Sequence, residues 1–339
     1  MIVPVFLPHL GCGQRCTYCN QNLITGSAGE YGLEESIALL LAPFETPVEV
    51  ALYGGNPLGL EPESLERLLG LFGPYKEKIT RLRISARPGP VSRSVIGVLR
   101  DHRVRTIELG TPTFNDRILA RLSRGHDSED SYNTVRLMKE EGFETGMQVM
   151  VGLPGETHDD VRETVSAIIS LAPSFIRIYP LLVIEETLLF EQFSLGSFVP
   201  DALDEAVAKA SFIYASAWAH GIGTIKMGLT ENAALRARIA AGPFHPAFGY
   251  LVKSEAFRRA VSNKCEELGV MGKVLVRLCP SDVPHLIGYK RSNIEKLRDK
   301  AVLITWGTDQ ALKAGHFAVE AGERIVEGDL ADALARTPV

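Results

Sequence analysis

An α/β chain folded as a partial (β/α)6 or full TIM-type barrel, followed by a small α+β domain, is what this sequence predicts. Three observations lead there. Short β-rich runs alternate with amphipathic helical stretches at a spacing that calls for parallel strands and right-handed crossovers. The loops that follow these runs are rich in Gly, Pro and Cys, and in a barrel the loops after the strands meet on one face, where the chemistry sits. Near residue 265 the rhythm changes and positive charge accumulates.

In chain order, strands are expected at "IVPVFLP" (2–8), "VEVALYGG" (48–55), "LRISARP" (82–88), "RTIELG" (105–110), "TGMQVMVGLP" (145–154) and "FIRIYPLLV" (175–183), with "GTIKMGL" (223–229) later. Between them lie helical patterns at 35–44, 63–72, 93–102, 128–142 and 159–172. Each starts near Ser, Asp or Glu, and several are stopped by Gly or Pro. The barrel is placed at residues 1–265 and the second domain at 266–339. In the latter, "KVLVRLCPSDVPHLIGYKRSNIEKLRDKAVLITW" reads as strand, short helix, tight Gly turn, helix, strand. From 273 to 300 it has seven Lys or Arg against three acids, a local +4 in a chain of net charge -5.

With 339 residues, 45% of them hydrophobic, the chain can bury one large core and a small extra module. No run approaches the roughly 20 apolar residues of a membrane span, and the apolar start has no basic n-region or small-residue cleavage site, so the expectation is a cytoplasmic protein without a membrane partner. Five cysteines, three of them crowded together, do not suit a secreted disulfide framework.

Cys12, Cys16 and Cys19 lie within eight residues. The spacing Cys-x3-Cys-x2-Cys lets one loop give three thiolates to three irons of a [4Fe-4S] cubane, leaving the fourth iron open. A structural zinc would usually take four protein ligands, and the remaining pair, Cys265 and Cys279, lacks the close spacing such a site uses. Three metal-free core cysteines are the alternative, and a Gly- and Gln-rich loop suits a core poorly. Tyr18 suits an aromatic packed beside the cofactors or a plain core tyrosine.

At Cys12, Cys16, Tyr18 and Cys19 the sequence resembles the radical S-adenosylmethionine superfamily and its CxxxCxΦC signature. The resemblance extends in order over roughly the first 250 residues. "IELGTPTFNDRILARLSRGH" and "GFETGMQVMVGLPGET" resemble the region shared by the catalytic subunit of Elongator and oxygen-independent coproporphyrinogen oxidase. "RISARP" leans toward Elongator, and "YPLLVIEETLL" and "GPFHPAFGYLV" resemble a short Elongator-like bacterial subgroup. The resemblance implies a [4Fe-4S] cluster, S-adenosylmethionine, and an electron donor such as flavodoxin or ferredoxin. It also implies reductive cleavage of S-adenosylmethionine to a 5'-deoxyadenosyl radical that abstracts hydrogen from substrate.

The resemblance also implies roles for single residues. Gly54 and Gly55 stand where the family's Gly-Gly turn meets the methionine amino group, a place where a side chain would block close approach. Arg124 aligns with the arginine that pairs with the methionine carboxylate, the alternative being a solvated charge on a helix end. Glu108 points at the same mouth, as a ligand of the amine or ribose or as a cap of the next helix. Pro112 replaces the family's ribose-binding glutamine, Asn56 stands where Thr or Ser is usual, and Gln148 stands where the porphyrinogen oxidase carries an acid and can bond the ribose.

The roughly 75 residues after the barrel are too few for the acetyltransferase domain of the Elongator relatives. Instead, "HLIGYKRSNIEKLRDK" resembles the core of a KH RNA-binding domain, with Gly288 opening the loop and Lys290 and Arg291 at the phosphate clamp. Arg291 stands in place of the second loop glycine; an accessory helix pair with a basic face is the alternative. Function is therefore expected to be radical modification of RNA, with tRNA favoured. The alternatives are a radical enzyme acting on a tetrapyrrole or other metabolite, or a non-catalytic protein that carries the cluster or cofactor. His245, between prolines, is a substrate ligand, a proton donor or a turn residue.

Overall fold

The computed structural model describes residues 1–25, 32–229, 233–270 and 272–335; residues 271 and 336–339, within the expected second domain, lie outside the described residues. By packing the chain divides into one unit of Met1–Pro200 with Thr230–Gly242 and another of Asp201–Leu229 with Pro243–Val339.

The first unit is built on six parallel strands: β1 (Ile2–Phe6), β2 (Val48–Tyr53), β3 (Ile79–Ala86), β4 (Val104–Gly110), β5 (Glu144–Val151) and β6 (Phe175–Pro180). They pair in chain order, each with the next. The connecting helices are α1 (Gln21–Thr25), α2 (Leu33–Leu41), α3 (Pro62–Gly70), α4 (Arg93–Asp101), α5 (Asp116–Arg121), α6 (Ser128–Glu140) and α7 (His158–Leu171). This is the partial (β/α)6 form of the expected barrel.

Local chemistry sets the helix starts. Ser92 and Asn115 accept a hydrogen bond from the amide three residues on, and Asp127 and Thr157 form capping boxes with Asp130 and Asp160. The strands bury Val50, Leu52, Ile84, Ile107, Met147 and Ile176 between sheet and helices, which fixes register because a one-residue slip would turn these side chains to the wrong face. The run expected as one strand over 175–183 is split. β6 stops at Pro180, and Val183–Ile184 forms β7, followed by α8 (Leu188–Ser194).

The chain then enters the second unit through α9 (Leu203–Ala219) and β8 (Gly223–Met227). It returns through α10 (Ala233–Ala237) to β9 (Ile239–Ala241), which pairs antiparallel with β7. The second unit continues with α11 (Phe248–Glu267), β10 (Gly272–Leu278), α12 (Val283–Ile287), α13 (Ser292–Asp299), β11 (Val302–Thr308), β12 (His316–Ala321) and β13 (Arg324–Asp329). Its sheet runs β11-β10-β12-β13, with β10 and β11 parallel and the last two strands a hairpin.

The strand-helix-turn-helix-strand order read from the sequence is present, and the β12–β13 hairpin extends it. Packing places the division of the chain before residue 265. The apolar face of α11, with Phe257, Val261 and Cys265, is covered by Val276 and Phe317 of the C-terminal sheet, and Ala215 of α9 joins the same core. Among the described residues no helix is long and apolar enough to cross a membrane.

Candidate active site at the cysteine loop

The loop after β1 is held by backbone bonds. Leu10 O accepts from Asn56 N (2.6 Å), His9 O from Cys12 N (3.0 Å), Cys16 O from Cys19 N (3.1 Å) and Leu122 O from Thr17 N (3.0 Å). The side-chain carbonyl of Gln21 accepts from the amides of His9 and Gly55. Gly55 has φ +68°, and a Cβ there would lie 2.5 Å from Leu10 O and 2.7 Å from Leu7 O. Its lack of a side chain is therefore demanded first by the cysteine loop itself, before any ligand. At Gly54, φ +77°, the nearest atom to such a Cβ is Gln21 Oε1 at 3.4 Å.

One cavity is lined by Cys12, Cys16, Cys19, Gly54, Gly55, Asn56, Arg124 and Gln148, with His9, Gln21, Ser85, Arg87 and Gly110 among the other walls. Arg124 binds into the loop: its Nη1 donates to Cys16 Sγ (3.2 Å) and Tyr18 Oη (3.1 Å), and its Nη2 to Gly110 O (2.6 Å). Arg124 is thus no solvated helix-end charge. Burial alone would lower its pKa, but Tyr18 and Cys16 outweigh that and raise it. Tyr18 packs against Ile118, Leu122 and Leu153, so it is a core tyrosine whose hydroxyl reaches Arg124. Asn56 is buried, and its Oδ1 accepts from Arg87 N (2.9 Å), tying the β2 loop to the β3 loop. Arg87 Nη1 in turn donates to Arg124 O (3.1 Å).

Next to this cavity lies a charged network that sequence reasoning did not find. Glu108 is fully buried. Its Oε1 accepts from Arg83 Nη1 and Arg177 Nη2 (each 2.8 Å) and its Oε2 from Gln148 Nε2 (2.9 Å), with Arg177 Nε also 2.8 Å away. Arg83 Nε also binds Glu49 Oε1 (2.6 Å), Arg177 Nη2 donates to Tyr53 Oη (2.6 Å), and Gln148 Nε2 donates to Ser85 Oγ (3.2 Å). Glu108 caps no helix; Gln148, and not Glu108, lines the cavity. Burial first, then Glu108, pushes the Tyr53 phenol up to about 12. The signal was present as alternation, since Arg81, Arg83 and Ser85 share one face of β3 and Arg177 and Tyr179 one face of β6.

The residues fit an iron–sulfur group. Burial, then the neighbouring Cys16, pushes the Cys19 thiol up to about 12, and the same two causes raise Cys12. Such thiols stay protonated near neutral pH unless a metal cation takes the proton's place. Arg124 Nε and Arg87 Nε are buried without a hydrogen-bond partner, donors left over for an anionic ligand. Among the described residues no three His, Cys, Asp or Glu side chains could cage a single ion. Cubane ligands bind different irons and need no such convergence. Cys265 is buried in the second unit's core and Cys279 lies 3.1 Å from Ser281 Oγ, so neither belongs to this donor set.

In the second unit Gly288 (φ +76°) ends α12. A Cβ there would lie 2.7 Å from Asn293 Cγ, and Asn293 Nδ2 donates to Ser254 O (2.8 Å) and His285 O (2.9 Å). Lys290 and Arg291 both adopt left-handed backbone, φ +51° and +67°. Their cationic ends lie over the rings of Tyr289 (5.3 Å) and Trp306 (6.0 Å). Arg291 thus takes by conformation the place where the resemblance led us to expect glycine. His245 Nδ1 accepts from Ala247 N (3.0 Å), as a turn histidine does, and its ring meets Tyr289 edge-on at 5.5 Å.

A parallel half-barrel with three thiols, a buried arginine and a glycine turn around one cavity at its strand ends defines an iron–sulfur protein of the α/β-barrel class. The chain belongs to the radical SAM superfamily: the sequence model of that superfamily matches residues 6–168, and that of the Radical_SAM C-terminal domain matches 173–258. Proteins of this superfamily bind a [4Fe-4S] cluster and S-adenosylmethionine.

The chain is similar to the heme chaperone HemW of Lactococcus lactis (30% identical over 192 residues, 55% of this chain and 50% of that protein). It is also similar to the tRNA uridine(34) acetyltransferase of Methanocaldococcus infernus (30% over 155 residues, 45% and 29%). The similar region spans about half of the first relative and under a third of the second. Among solved structures, Methanocaldococcus infernus Elp3 with an N-terminal deletion shares the fold, with TM-score 0.58 and 21% identity over 79% of this chain and 63% of that one.

Proposed function

We propose that this chain is a radical S-adenosylmethionine enzyme that modifies RNA, with tRNA as the favoured substrate. The observation that carries the catalytic half is that the three cysteines and Arg124 line one cavity, with Arg124 bonded to Cys16 Sγ and to Tyr18 Oη behind it. When bound, the cluster and S-adenosylmethionine supply an electron and a 5'-deoxyadenosyl radical that takes hydrogen from the substrate.

The chain's own residues do the rest. Cys12, Cys16 and Cys19 hold three irons, and Arg124 fixes the loop and offers its free Nε–H to the carboxylate of S-adenosylmethionine. Gly54 leaves room for its amino group, and Gln148 and Ser85 offer polar contacts to the ribose that Pro112 does not make. Glu108 is a positioning residue, holding Gln148 from beneath. Gly13, Gln14 and Arg15 are exposed on the cysteine loop, leaving it open to an electron donor such as flavodoxin or ferredoxin in the cytoplasm.

The RNA half rests on the KH-like order of elements from β10 to β11 and on the two cations, Lys290 and Arg291, at its turn, which a backbone phosphate would meet. Similarity to an acetyltransferase of tRNA supports it. Similarity to heme chaperones favours a second reading, non-catalytic carriage of a tetrapyrrole.

The test is 5'-deoxyadenosine formation by anaerobically reconstituted protein with dithionite, with and without total tRNA. Stimulation by tRNA, lost in Lys290→Glu/Arg291→Glu, is expected. Cleavage indifferent to RNA overturns the RNA half. An intact cluster without any cleavage overturns the enzyme reading in favour of carriage.

A further inference from the structure

The second unit holds a cavity of about 300 Å³ that is separate from the cysteine loop. β8 contributes Thr224, Lys226 and Met227, α11 contributes Tyr250 and Lys253, and α12 contributes His285. Two lysines here have no carboxylate partner among the described residues. The Thr224 hydroxyl and His285 Nδ1 are buried without a hydrogen-bond partner. The only acid facing His285 among the described residues is Asp282, 3.7 Å away, and its other oxygen accepts from Gly315 N (2.7 Å). Tyr250 and Phe257 lie against the His285 ring at 5.6 and 5.9 Å, and Tyr250 Oη donates to Pro284 O, so the imidazole is fixed in place.

Two ammonium groups without carboxylate partners beside one open space make a site for an oxyanion of high charge density, while the Thr224 hydroxyl and His285 Nδ1 are shielded from it. Carboxylates that would neutralise the lysines are what a purely structural cluster would carry. His285 lies on α12 three residues before Gly288, which ends that helix, so the cavity adjoins the turn that carries Lys290 and Arg291, with Tyr289 exposed between the two.

We propose that this cavity is a second phosphate subsite. It seats one backbone phosphate of a single-stranded RNA between Lys226 and Lys253 and extends the strand's path beyond the Gly288–Arg291 turn. The inference rests on the RNA reading above and adds to it a site, a direction along the surface and residues outside the KH-like segment.

The experiment measures binding of a fluorescent single-stranded RNA to the whole chain across a salt series. The proteins compared are the natural one, Lys226→Gln/Lys253→Gln, the charge-keeping Lys226→Arg/Lys253→Arg, and Lys290→Gln/Arg291→Gln. Loss of one phosphate contact lowers the slope of log K against log salt by about 0.7. The expected result is such a loss, with weaker binding, in the glutamine variant of the cavity and recovery in the arginine variant.

Melting temperatures within a few degrees of the natural protein's establish that the variants are folded. If the turn variant loses affinity while the cavity variant keeps both affinity and slope, the subsite is refuted and the RNA reading stands. If the natural protein does not bind RNA at all, both are refuted.

Discussion

Replacing Glu108 by Gln keeps the shape and removes the charge. Glu108 is fully buried and faces two guanidinium groups, those of Arg83 (5% exposed) and Arg177 (13% exposed), with oxygen–nitrogen distances of 2.8 Å. Arg83 retains Glu49 as a second partner, but Arg177 keeps no other carboxylate among the described contacts. Breaking a buried pair from one side costs about 3–5 kcal/mol, because the remaining charge is left without compensation. For a unit of this size, about 2–4 °C per kcal/mol places the loss in melting temperature at roughly 6–20 °C.

Circular dichroism melting of Glu108→Gln, Arg177→Gln and the double variant measures this. The double variant is expected to cost clearly less than the sum of the singles, the sign of direct coupling. A drop of only a degree or two in Glu108→Gln, or additive singles, would mean that this network does not hold the barrel interior together.

Gly55→Ala is expected to lose most of its iron on reconstitution, because the new Cβ meets two carbonyl oxygens of the cysteine loop; Gly54→Ala, with the nearest atom at 3.4 Å, keeps its iron and loses only about 1–2 kcal/mol to left-handed backbone. Iron per chain separates the two. Arg124→Lys keeps a charge but lacks the Nε–H and cannot hold Cys16, Tyr18 and Gly110 together, so affinity for S-adenosylmethionine, measured per bound cluster by equilibrium dialysis, should fall at least tenfold. Burial by itself raises the Asp160 carboxyl, yet the Thr157 amide and hydroxyl and Arg117 hold it below the usual range. The start of α7 therefore gains stability above the ordinary carboxylate pKa and loses it as pH falls through the lowered value. Asp160→Asn should flatten that acid limb in melting curves.

The part of the site that is legible in sequence is the part carried by local spacing. Three cysteines in one loop, two glycines after a strand and an arginine after a helix are each short-range patterns, and the fold brings them to one cavity. Gln21, Arg87 and Ser85 reach the same cavity from elements whose sequences carry no mark of it. Alternation marks Arg83 and Arg177, but each looks like an ordinary strand charge until parallel register sets four strands, β3 to β6, side by side around Glu108. In the C-terminal region the order of elements was readable. The assignment of α9 and α11 to that core was not, since helix partners are chosen by tertiary packing of apolar faces and not by proximity in the chain. The β12–β13 hairpin did carry a signal, the turn "AGE" at Ala321–Glu323 with Gly322 at φ +64°, between two alternating runs.

The cysteine loop, in the function proposed, holds three irons and leaves a fourth open to S-adenosylmethionine. Low-temperature electron paramagnetic resonance of the dithionite-reduced, reconstituted protein tests it most directly. The prediction is a reduced [4Fe-4S] signal that shifts when S-adenosylmethionine is added, and that is absent from Cys16→Ala. A cluster signal indifferent to S-adenosylmethionine, or one that survives in Cys16→Ala, would contradict the claim.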